Sequence, residues 1–110
     1  MTPSAASVAQ GARVLGLALA CAMAGPAFAA RHVVAIDGMQ FAPASLTVRS
    51  GDSVVWVNRD PVPHTATAAG AFDSKAIQPG KSWTYVAGKR GRFTYLCTFH
   101  PTMTATLVVE

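Results

Sequence analysis

YLCTFHPTM, residues 95–103, sets a thiol, an imidazole and a thioether three residues apart, at Cys97, His100 and Met103. All three are soft or borderline donors suited to a late first-row metal. The run that leads into them, RFTYLC, puts Phe93, Tyr95 and Cys97 on one face of an extended strand, because side chains alternate with a period of two. The bulky partners mark that face as interior. The cysteine then falls at the end of the strand, where a core meets a loop.

The rest of the chain supports an all-β reading. Short apolar and β-branched segments alternate with turn signals. HVVAI precedes Asp37-Gly38, and SLTVR is tied to SVVWVN through Ser50-Gly51-Asp52. KSWTYVA, RFTYLC and TATLVVE are three further strands, with a turn from Gly88 to Gly91. Between them lies an irregular stretch, residues 59–80, rich in proline and turn residues. In SVVWVN both parities are apolar, so alternation does not say which face Trp56 takes. No repeat and no helix of three turns is legible. The expected fold is one small Greek-key β-sandwich of six to seven strands, with Trp56, Trp83, Phe93 and Tyr95 in or near its core.

The first 29 residues do not belong to that unit. A segment without acidic groups ends at Arg13, VLGLALACAMAG follows, and PAFAA closes it. This is the charged region, apolar region and small-residue cleavage site of a secretory signal. A cut after Ala29 puts alanine at both small-residue positions, Ala27 and Ala29. Residues 30–110 then form the mature domain, expected in the periplasm and with no stable insertion in a membrane. The alternative is a lipoprotein acylated on Cys21. Without the leader, Cys97 is the one cysteine left in an oxidising compartment, and no internal disulfide is available. Eight basic residues against five acidic ones leave a formal net charge of +3, with no basic run of the kind that binds nucleic acid.

A closed metal site needs a fourth donor. His64, in DPVPHT, follows a strong strand, and in a sandwich that loop can lie beside the loop carrying Cys97. Two imidazoles, a thiolate and a long axial thioether make the blue-copper electron-transfer set. Alone, Cys97 would read as an ordinary buried cysteine, and Met103 as a core filler. Their register with His100 raises the metal reading above both.

The mature chain resembles the small blue-copper proteins of the plastocyanin and azurin family, the cupredoxins, and is closest in pattern to the amicyanins. The resemblance rests on MQFAPASLTVRSGDSVVWVNRDPVPHT, GAFDS, IQPGKSW and GRFTYLCTFHPTM, and on the Cys-x-x-His-Pro-x-Met spacing. It implies one type 1 copper, with His64, Cys97 and His100 as equatorial ligands and Met103 as the axial one. It also implies a carrier that cycles between Cu(I) and Cu(II), not an enzyme. Electrons would pass through the exposed edge of His100, at an apolar patch of Pro63, Phe99, Pro101 and Met39 that meets redox partner proteins, with the carrier a monomer. Two features depart from the family. Thr65 stands where the family commonly has asparagine, and the segment between Phe72 and Trp83 is short.

Three further expectations follow. Copper storage, delivery or resistance is the alternative function, and zinc is an alternative ion for the same donors. His32 opens the first strand, although a mature terminus Ala30-Arg31-His32 also has the composition of a square-planar Cu(II) chelate. The basic turn GKRGR belongs to the end away from the metal, since Arg90 precedes Cys97 by a strand length of roughly 23 Å.

Overall fold

The computed structural model describes residues 28–110. The expected leader, except for its last two residues, and Cys21 therefore lie outside the described residues. Among the described residues there is no helix, and the chain forms nine strands. Six are the expected ones: β1 (Arg31–Asp37), β3 (Ser45–Val48), β4 (Ser53–Asn58), β7 (Ser82–Val86), β8 (Gly91–Cys97) and β9 (His100–Val109). Three are short: β2 (Gln40–Ala42), β5 (Thr67–Ala68) and β6 (Phe72–Asp73). The last two fall inside the stretch that sequence alone reads as irregular. Two residues are too few for alternation to show.

The strands make two sheets, ordered β2-β1-β4-β7 and β3-β9-β8-β5-β6. β1 runs parallel to β4, β3 runs parallel to β9, and the other pairs are antiparallel. The chain changes sheet repeatedly, which is the crossed connectivity expected of the sandwich. The Ser50-Gly51-Asp52 turn forms as read: Asp52 N–H donates to the Arg49 carbonyl at 2.9 Å, and Gly51 takes φ 99°, a conformation that a side chain would strain.

Trp56 ties the sheets together. It is fully buried, and its neighbour in the first sheet is Trp83, paired with it across β4 and β7. From the second sheet, Phe72 and Tyr95 approach it, each with a ring-centroid distance of 5.5 Å, Tyr95 edge-on. Phe41 completes the group against Tyr95 at 4.8 Å. Edge-to-face contacts of this kind add to the burial of large apolar area. Trp83 and Phe93 are half-buried and pack against the core from its margin. Replacing Trp56 by alanine is expected to destabilise the copper-free domain by about 3–5 kcal/mol, measured by urea unfolding. A loss well under 1 kcal/mol would contradict this packing.

Candidate metal centre

His64 is held in the connection between β4 and β5 by its own backbone. Its N–H donates to the Ile77 carbonyl at 3.2 Å, and its carbonyl accepts the Ile77 N–H at 2.7 Å. Asn58, fully buried at the end of β4, braces the same connection. Its Nδ2 donates to the Val62 and Ile77 carbonyls at 2.8 and 2.9 Å, and its Oδ1 accepts the Asp60 N–H at 2.9 Å. A buried amide this well satisfied fixes the path of the chain.

Cys97 ends β8 inside the core, and His100 begins β9 after a turn of only Thr98 and Phe99. Cys97 pairs with His100, yet Leu96 pairs with Thr104, so three residues of β9 have no counterpart on β8. Such a bulge breaks the alternation and re-aims side chains. The segment read as a loop is thus a bulged strand start. Met103 lies in the bulge, buried in the same core cluster as Cys97.

These elements bring His64, Cys97 and His100 together, with one donor atom from each within 4.8 Å of the others. Cys97 Sγ is 3.6 Å from His64 Nδ1 and 3.7 Å from His100 Nδ1. Metal–sulfur and metal–nitrogen bonds of about 2.3 and 2.05 Å, opened by about 110–120°, put the two donors about 3.6–3.8 Å apart. The observed spacings suit two nitrogens and a sulfur around one ion. The donor chemistry agrees: thiolate with imidazole suits copper or zinc, and the added thioether favours copper.

Asp60 governs which nitrogen of His64 is free. Its Oδ2 lies 2.8 Å from His64 Nε2, so the imidazole donates its N–H there and keeps a lone pair on Nδ1, facing Cys97. The same carboxylate accepts N–H groups from Gly38 and Met39, at 2.7 and 2.9 Å, in the β1–β2 turn. Burial pushes its pKa up, but the bonds from Met39, His64 and Gly38 outweigh that and leave it below the usual carboxylate value. Asp60 was not singled out by sequence reading. Its signal is its place four residues before His64, and that acquires meaning only when the turn is closed.

Thr65 takes the bridging place commonly held by asparagine. Its hydroxyl accepts the Thr98 N–H at 2.9 Å, and its backbone N–H points to Cys97 Sγ at 3.4 Å. The Thr67 hydroxyl donates to Thr65 Oγ1 at 3.0 Å. The shorter side chain therefore still links the His64 connection to the cysteine turn. Around the centre, His100 is half-buried while Phe99, Met39 and Val62 are exposed. Val62 was not in the expected patch.

The sequence matches the cupredoxin-like domain over residues 11–109. The chain belongs to that family, and its cofactor is a type 1 copper. It is similar to amicyanin of Paracoccus versutus, 27% identical over 84 residues covering 71% of this chain, and to amicyanin of Paracoccus denitrificans, 32% identical over the same share. The match spans 64% of either relative's length, a little under two thirds. Among solved structures, the Cu(I) form of an amicyanin mutant superposes with a TM-score of 0.69 at 31% identity, covering 79% of this chain and 88% of that one.

Replacing Asp60 by asparagine removes the charge and turns an NH2 toward donors. Cu(I) affinity, measured by competition with a chelator, is expected to fall about 10–100-fold. Unchanged affinity would show that Asp60 does not support His64.

Proposed function

We propose that this domain is a periplasmic one-electron carrier between redox proteins, with copper held by His64 Nδ1, Cys97 Sγ, His100 Nδ1 and the Met103 thioether. The observation that carries the reading is the buried thiol with two imidazole nitrogens at 3.6 and 3.7 Å. When bound, copper supplies the Cu(I)/Cu(II) couple.

The chain's own residues do the rest. His64 and Cys97 are shielded from water, and their positions are set by hydrogen bonds within the fold. A scaffold braced this way holds its donors still, so little rearrangement accompanies a change of charge. The Thr65 N–H draws charge from the sulfur, one of the recognised controls on potential. Four protein donors leave no open position for a substrate, which argues for transfer over catalysis. Burial of two donors also disfavours ready release of metal, the requirement of a storage or delivery protein.

His100, half-buried, is the ligand nearest a partner. Phe99, Met39 and Val62, with Pro63 and Pro101, supply apolar surface for a brief encounter, and weak redox complexes use small interfaces. The domain acts as a monomer, released from its leader by cleavage after Ala29.

Adding Cu(II) to the mature domain is expected to give an intense blue charge-transfer band and a narrow copper hyperfine splitting. Cys97→Ser should abolish the colour, and a colourless wild-type complex would refute the ligand set. The basic turn sits across β8 from the centre, since Gly91 pairs with Val109 at one end and Cys97 with His100 at the other. Lys89→Glu with Arg90→Glu should therefore change electron-transfer rates by less than about twofold at physiological salt, where screening acts over about 8 Å. A tenfold loss would place docking at that turn.

A further inference from the structure

The end of the sandwich away from the metal donors holds a second buried carboxylate. Asp52, 5% exposed, closes the β3–β4 turn. Its Oδ1 accepts the Ala30 N–H at 2.8 Å, and its Oδ2 accepts the Arg49 N–H at 3.0 Å and lies 3.0 Å from His32 Nε2. The Ala30 carbonyl in turn accepts the Ser53 N–H at 2.9 Å. Ala30 is thus held by the fold through both of its backbone polar groups. Ala29 is exposed, and Phe28 is 88% exposed. Among the described residues, attachment by hydrogen bonds is thus seen at Ala30, the residue that follows the expected cut.

We propose that the Ala29–Ala30 peptide bond is a processing site, and that the α-ammonium freed on Ala30 is bound in place by the Asp52 carboxylate. This rests on the leader reading given above. In the hydrolysis, water adds across the bond; Ala29 leaves as a carboxylate and Ala30 keeps the nitrogen as an ammonium. A neutral amide donor 2.8 Å from Oδ1 becomes a cationic one, and charge-assisted bonds are roughly twice as strong as neutral ones. The carboxylate is ready for it. Backbone N–H bonds from Arg49 and Ala30, then His32, hold the Asp52 pKa down at about 2. A cavity of about 280 Å³ adjoins the pair, lined among others by Phe28, Arg49 and Glu110. Departure of Phe28 opens it to the two ammonium protons not on Oδ1. His32, Arg49, Asp52 and Glu110 are the charged or titratable groups that line this cavity with Ala30.

Two consequences follow. The precursor lacks this cation, so the fold gains stability only once the leader is removed. The amine and the His32 ring are both engaged by Asp52, and residues 31 and 32 are paired with Ser53 and Val54 in the β1–β4 ladder. The terminal chelate of Cu(II) must break these bonds, so His32 serves the strand and one Cu(II) per chain is expected.

The test begins with the intact mass of the exported protein, expected to start at Ala30. Its α-amine, followed by 15N NMR, should titrate above the ordinary range of about 7.7–8.0. A chain keeping Phe28 and Ala29 should unfold with an equilibrium constant roughly fivefold larger at pH 7, a gap that closes in the Asp52→Asn background. A different terminus would sink the cleavage reading. An Ala30 terminus whose amine titrates in the ordinary range, with stability equal to the extended chain, would sink the ion pair while cleavage stands. Should Asp52→Asn fail to fold, the wild-type titration decides alone.

Discussion

The hydrogen bond from His64 Nε2 to Asp60 is the constraint on which the metal end depends, because it decides where the imidazole lone pair points. With that proton committed to a buried carboxylate, Nδ1 is left bare against the Cys97 sulfur. Asp60 also grips the β1–β2 turn through Gly38 and Met39. One side chain thereby couples the tautomer of His64 to the placement of an exposed methionine at the same end. A charged group this deep is costly unless its lone pairs are met, and here three donors meet them.

The second element is the mismatch between β8 and β9. A regular hairpin would send successive residues alternately in and out, and His100 and Met103, three apart, would take opposite faces. Three unmatched residues between the Cys97 and Leu96 pairings free this segment from that rule. The backbone gives up ladder bonds locally, and the rest of a ten-residue strand, with the Thr65–Thr98 bridge, steadies it.

The two ends of the sandwich share a design. Each has a buried aspartate that gathers backbone N–H groups and one imidazole: Asp60 with His64 at one end, Asp52 with His32 at the other. Their surroundings separate their roles. Beside His64 stand a thiol and a second imidazole, whereas Ala30 and Glu110 share a cavity with His32. In the core, the Trp56 aromatic group joins the two sheets.

Much was legible without coordinates. Apolar, β-branched segments bounded by turn residues determined the six longer strands, since both signals are local properties of the chain. Donor types and spacing determined Cys97, His100 and Met103 as a group, because they sit within seven residues of one another. Only the tertiary structure decided that His64, 33 positions from Cys97, reaches it, that Asp60 selects its nitrogen, and that Thr65 can replace an asparagine bridge. The same holds for Asp52, which meets Ala30 from 22 positions away. Such contacts depend on how two sheets pack face to face, and no local pattern encodes that packing.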